Sequence, residues 1–195
     1  MRKKLLGVSL IIILLSLAAY GTWAYFAADA RTTNVITTGT IDITLVETTT
    51  DADGNQVAFP TLGISGVMPG QSVDKLVTVD NVGTGESWIR ASVVCRIESV
   101  NEEALPLTLE YADGESVLSF DINDAKWTEK DGYYYYTDPV KANDSTEQLF
   151  SQVTFNKAMG NKYQGCTAYV DVAAQAVQAK NNGETVFEAA GWSAN

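Results

Sequence analysis

From Val35 to Gln178 the chain alternates apolar and polar residues in short runs, with turn-forming clusters between them. A period of two marks a strand with one buried face and one wet face, and it does not suit a helical core of period 3.6. In the first run Val35, Thr37, Gly39, Ile41, Ile43 and Leu45 fall on one side, and Thr38, Thr40, Asp42 and Thr44 on the other. Residues 88–97 form the clearest run, with Ile89, Ala91, Val93, Cys95 and Ile97 on one face. Further runs cover 56–62, 73–81, 105–111, 133–136, 149–155 and 165–178. Turn signals lie between them: 51–55, the Pro69-Gly70 pair, 83–85, 130–132 and Asn181-Asn182-Gly183. About eight strands with little helix predict an all-β fold, a jelly-roll-like β-sandwich. Residues 172–179 carry helical propensity in Ala and Gln but continue a strand already begun at Tyr169, so they are read as strand. Residues 185–192 are expected to form one short helical turn.

The N-terminus follows different rules. Arg2, Lys3 and Lys4 lead an apolar run over 5–19, and the small residues Thr22 and Ala24 follow. A basic start, an apolar middle and a small-residue end form an export signal. The apolar run falls short of the roughly 20 residues that span a bilayer. The expected cut lies between Ala24 and Tyr25; the alternative is an uncleaved N-terminal anchor. Three parts follow: a signal-peptide helix over 1–24, an N-terminal donor or first-strand segment over 25–45, and a sandwich domain over 46–195. On either alternative the remainder of the chain works outside the cytoplasm, secreted or at the cell surface.

Charge and composition narrow the chemistry. The formal net charge is −11, and without the three leader cations ten basic residues face 24 acidic ones, a net of −14. An acidic surface argues against nucleic acid and anionic lipid, which require basic patches. The chain contains no histidine. That removes the HExxH zinc motif, the Ser-His-Asp triad and the Cys-His pair, and leaves no imidazole for a transition metal. No catalytic residue, cofactor or metal site is expected. The two cysteines, Cys95 and Cys166, both sit on strand faces expected to be buried. An exported chain with an even count invites a disulfide, which would close a long loop and add roughly 4 kcal/mol on the chain-entropy estimate. The alternative is two buried free thiols.

Four clusters were weighed for function. Asp51, Asp53 and Asn55 around Gly54 resemble part of a calcium loop but lack the remaining ligands, so a hairpin turn is expected. The tyrosine block 133–136 offers a sugar-stacking platform, or a strand with rings on both faces. Glu102-Glu103 and Asp121 with Asp124 are acidic pairs best read as solvated surface. The segment 25–45, once freed by cleavage, is β-prone and able to add to the open edge of a neighbouring sheet, with Val35, Ile36, Ile41 and Ile43 as its apolar contacts. The alternative is an ordinary first strand within its own domain.

The order of several motifs adds a resemblance. Gly21-Thr22-Trp23-Ala24-Tyr25-Phe26 resembles the processing junction of the TasA/camelysin family of exported proteins, and 33–43 resembles that family's opening strand. Met68-Pro69-Gly70-Gln71, the stretch 79–83, Trp88-Ile89-Arg90-Ala91, Trp127, the stretch 131–134, the closing 174–178 and Trp192 are similar in order. The resemblance implies a jelly-roll subunit processed by a SipW-type signal peptidase in a Gram-positive cell. It also implies cell-surface or biofilm-matrix fibres, in which the N-terminal segment of one copy completes the sheet of the next. The expected partners are copies of the same chain, an accessory matrix protein and the signal peptidase. A monomeric surface adhesin or accessory binding module is the alternative. The metalloendopeptidase activity ascribed to camelysins sits badly with a chain that lacks histidine, and the cysteine pair has no counterpart in the family motif.

Overall fold

The computed structural model describes residues 40–60, 64–66, 68–109 and 114–193. Gly39–Asn195 forms one compact unit. The leader, the Ala24/Tyr25 junction, Val35 and Ile36 lie outside the described residues.

The all-β expectation holds. Twelve strands are assigned among the described residues: β1 (Ile43–Thr50), β2 (Gln56–Ala58), β3 (Ile64–Ser65), β4 (Ser72–Asp74), β5 (Leu76–Asn81), β6 (Ser87–Glu98), β7 (Ala104–Leu105), β8 (Leu118–Phe120), β9 (Trp127–Lys130), β10 (Tyr133–Tyr136), β11 (Gln152–Phe155) and β12 (Thr167–Gln178). One sheet runs β3-β12-β6-β10-β9, with β7 on the end of β6. The facing layer combines β2-β1-β5 with β4-β11-β8. Backbone bonds join its two parts, because the second edge of β5 is taken by the irregular stretch before β11: Val77 N–H donates to Phe150 O (3.1 Å), and Leu149 and Thr146 N–H donate to Val77 O and Val79 O (2.8 and 2.9 Å). All strand pairs are antiparallel.

The core lies between the layers. Ile89, Ala91 and Ile97 of β6 and Ala168 and Val170 of β12 face Val77, Val79, Val153 and Phe155, with Trp127, Leu149 and Phe150 filling the centre. Burying each large side chain contributes on the order of 1.5–3 kcal/mol. A second cluster covers the outer face of one end of the β6–β12 sheet. There the C-terminal stretch folds back, so that Val186, Ala189 and Trp192 cover Trp88, Tyr135 and Val177.

Two sequence expectations are corrected. The run 73–81 is broken at Lys75, whose N–H bonds Ser151 O (2.9 Å) while its side chain is buried in an ion pair with Glu47 (2.8 Å). The stretch 185–192 makes a turn rather than a helical cap, held by Glu188 N–H to Thr185 O (3.1 Å). Asp51 behaves as the expected hairpin turn: its carboxylate accepts from the N–H groups of Asp53 (2.9 Å) and Asn55 (2.8 Å), and the bonds from Asn55 outweigh desolvation and lower its pKa.

The start of β1 is clipped to the loop after β5. Thr40 N–H donates to Thr84 Oγ1 (3.0 Å) and Thr84 N–H to Thr40 O (3.0 Å), while Val82 and Gly83 N–H both donate to Asp42 O (3.0 Å). Asn81, fully buried, shapes that loop: its amide donates to Gly85 O (2.8 Å) and Val140 O (2.9 Å), and its Oδ1 accepts from Gly83 N–H (3.0 Å). A Cβ on Gly83 would collide with Thr40 O and lie 2.9 Å from Asp42 N, whereas one on Gly85 would meet only Ile41 Cδ1 at 3.9 Å. Gly83→Ala is therefore expected to destabilise the domain by roughly 1–3 kcal/mol in urea unfolding, and Gly85→Ala to stay near the wild-type midpoint.

Candidate functional site: an open sheet edge

The two longest strands lie side by side. β6 and β12 pair through all twelve residues of each, from Thr167 opposite Glu98 to Gln178 opposite Ser87. On its far edge β6 meets Val140 at Ser87, β10 at Arg90 and Ala91, and β7 at Ile97 and Glu98, and between them Ser92–Arg96 meet no strand among the described residues. The far edge of β12 meets β3 only at Thr167 and Ala168. From Tyr169 to Gln178 no strand among the described residues pairs with it. At roughly 3.3 Å per residue this bare edge is about 33 Å long.

The facing layer is open at the same flank. β1 gives one edge to β5 from Ile43 to Thr48 and the other to β2 only from Thr48 to Thr50. Phe59 N–H adds one bond to Glu47 O (3.0 Å). Ile43–Val46 have no partner strand on that side among the described residues. The core is thinner here. Val172, Ala174 and Ala176 of β12, Val93 and Cys95 of β6, and Ile43 and Leu45 of β1 point to the core yet are only partly buried. An edge with unpaired N–H and C=O groups above incompletely covered apolar side chains is a template for another strand. Natural proteins guard such edges with charges, Pro or short length. β9 has the guards, being four residues long with Glu129 and Lys130 in it. Between Tyr169 and Gln178 there is one charge, Asp171, and no Pro.

This geometry redistributes the sequence-derived candidates. Ile41 and Ile43 do not belong to a free donor segment. Ile43 pairs with Asn81 in its own sheet, and Ile41 sits within the Thr40–Asp42 clip. Of the residues named for donation, only Val35 and Ile36 lie ahead of the clip, outside the described residues. Of the two alternatives for the cysteines, the free thiols hold. Both thiols are free, because the register sets Cys95 opposite Val170, four residues beyond Cys166 along β12. Four residues span about 13 Å, and a disulfide requires Cα atoms within about 7 Å. The shared core face was legible in the sequence; the offset along the strand was not.

The tyrosine block is not an open platform. Tyr134 and Tyr136 pack on the main core, and Tyr135 is buried in the outer cluster. Tyr133 stacks on the Arg90 guanidinium at 3.8 Å, with Trp192 at 4.8 Å from the same group. Arg90 donates to Gln175 Oε1 (2.7 and 2.9 Å), Tyr135 Oη (3.2 Å) and Ser193 O (2.9 Å). Asp121 works as a brace. Burial pushes its pKa up, but bonds from the Ser151 hydroxyl and from the N–H groups of Gln152 (2.6 Å) and Ser151 (2.8 Å) prevail and hold it below the usual range. Among the described residues no three Cys, Asp or Glu side chains are grouped to hold a metal. Sequence reasoning missed Lys75 and Asn81; a lone Lys and a lone Asn within strand-like runs were the only signal.

No protein-family model matches the chain, and no curated protein matches it either.

Burial, with a smaller contribution from Asp171, pushes the Cys95 thiol up to about 11, and burial also raises Cys166. A raised thiol pKa disfavours the thiolate, so stability is full below the unfolded-state value near 9 and declines as pH rises toward 11. At pH 8 native Cys95 should alkylate about 100-fold more slowly than in the unfolded chain. Non-reducing denaturation should release two titratable thiols per chain.

Proposed function

We propose that the chain is an exported structural subunit of a cell-surface or biofilm-matrix fibre, without catalytic activity, that polymerises by strand donation. The N-terminal segment of one copy, residues 25–39, lies along the bare edge of β12 in the next copy. The observation that carries this reading is the edge itself: after Ala168 the outer edge of β12 meets no strand among the described residues, above half-covered apolar side chains, and Ile43–Val46 of β1 meet none across the gap. Main-chain bonds give such a joint its affinity, and alternating side chains give it register.

The donor is argued from where the domain starts. Thr40 is the first described residue and is clipped to the loop after β5, and β1 begins at Ile43. The 15 residues ahead of it extend to about 50 Å, enough to cover the edge of a neighbour. Thr32, Thr33, Val35, Ile36, Thr37 and Thr38 have high strand propensity. The ordered resemblance to the TasA/camelysin family supports the same reading, and with it signal-peptidase processing after Ala24 and secretion.

Mature protein beginning at Tyr25 is expected to form fibres visible by electron microscopy. A form lacking residues 25–38 should fold to the same circular-dichroism spectrum and remain monomeric. Cys95, on the floor of the gap, should alkylate more slowly in fibres than in the truncated monomer. Fibres from the truncated form would rule the proposal out.

A further inference from the structure

A cavity of about 70 Å³ opens on the same flank, where β3 stops and the bare part of β12 begins. Phe59, Ile64, Ala168 and Val170 make its apolar lining, and Glu47, Lys75 and Asp171 its charged one, Asp171 being exposed and already paired with Arg96 (2.8 Å). Lys75 is 1 % exposed. Of the three N–H groups of an ammonium, one points to Glu47 Oε1 at 2.8 Å, and the Phe59 ring centre lies 4.1 Å from Nζ. Donor capacity is therefore left over, and Glu47 brings a second carboxylate oxygen. The pair is neutral as a unit, so a further charge of either sign is repelled by one member. The complementary occupant is a small neutral group. It accepts from the ammonium, donates to the carboxylate and offers a methyl to the apolar wall. A threonine side chain does all three; the rings of Tyr25 and Phe26 are too large.

We propose that this cavity is the specificity pocket for the incoming strand and receives Thr33 or Thr37 of a neighbouring copy. The inference rests on the strand-donation reading above. Both threonines lie two places from Val35, so all three share one face of an extended segment. With one threonine seated beside Val170, Val35 falls about 7 Å along the groove, against the half-covered Val172 and Val93. Lys75 and Glu47 are thus positioning residues that set register, which a backbone ladder alone leaves free to slip.

The test is fibre assembly by mature protein carrying Thr33→Val or Thr37→Val, which exchanges the hydroxyl for a methyl outside the folded domain. Thr38→Val, on the opposite face, is the control. One of the first two is expected to raise the critical concentration about tenfold, the size of a lost bond to a charged group. Thr38→Val should leave it unchanged. Combining the sensitive variant with Glu47→Leu and Lys75→Met, a volume-conserving apolar pocket, should restore assembly, because valine then suits its surroundings. If neither threonine variant changes the critical concentration while deletion of 25–38 still abolishes fibres, the pocket assignment is overturned and strand donation stands. If the deletion leaves fibres intact, both fall.

Discussion

The ladder between β6 and β12 is the constraint from which the rest of the structure follows. Twelve paired residues on each strand fix the register of both, and a slip by one residue would turn Ile89, Ala91 and Ile97 out of the core. The first part of β6 is then enclosed, with Ser87 through Ala91 all buried, while Val94 and Arg96 further along stay exposed. β12 cannot be enclosed in the same way. Its other edge is met for two residues by β3 and by no further strand among the described residues. The opposite edge of the sheet is β9, four residues long and charged. One guarded edge and one bare one is a directional arrangement, and in the strand-donation reading that asymmetry gives a fibre its polarity.

Buried polar groups mark the places where the regular ladder gives out. Asn81 supplies an amide where β5 ends, donating to Gly85 O and adding a second donor to Val140 O beside Ser87 N–H. Lys75 interrupts the β4–β5 line and turns its charge to Glu47 of β1 instead of to solvent. Arg90 faces outward from β6, yet the C-terminal stretch covers it and satisfies it with neutral acceptors and two aromatic rings. Removing one partner from any of these would leave a desolvated group unpaired, which costs more than the bond contributes. The exposed Arg96–Asp171 and Arg96–Glu98 pairs are of another order, worth at most about 1 kcal/mol.

Much of this architecture was legible in the residues. The alternation through Ile89, Ala91, Val93, Cys95 and Ile97 and through Ala168 to Ala174 foretold the two central strands, because period two survives wherever one face is buried. The Asp51 and Lys130-Asp131-Gly132 turns were equally plain. What escaped was non-local. The break at Lys75 depends on a carboxylate 28 positions earlier in the chain. The separation of Cys95 from Cys166 depends on a register that only the folded sheet defines. The tyrosine block looked half solvent-facing because nothing in its own sequence announces that Val186, Ala189 and Trp192 will return to cover it. The bare edge is of the same kind: a strand's alternation reports its faces, never which of its edges finds a partner.

An exposed edge of ten residues is a hazard for a protein made in a crowded cell, and the charge pattern offers a physical restraint on it. Residues 25–195 carry −14, spread through loops and outward faces. Two copies approaching edge to edge repel over a Debye length of about 10 Å at 0.1 M salt, so undirected association is disfavoured while short-range contacts are still unmade. A donated strand meets less of this field, because in residues 25–39 Asp29 and Arg31 cancel and cleavage adds only the α-ammonium of Tyr25. A ribbon without net negative charge presented to a bare edge on an otherwise acidic body can pass the electrostatic barrier that stops the bodies themselves. In this reading the same charge that keeps domains apart makes the tail the favoured point of contact, and it makes assembly more permissive as ionic strength rises.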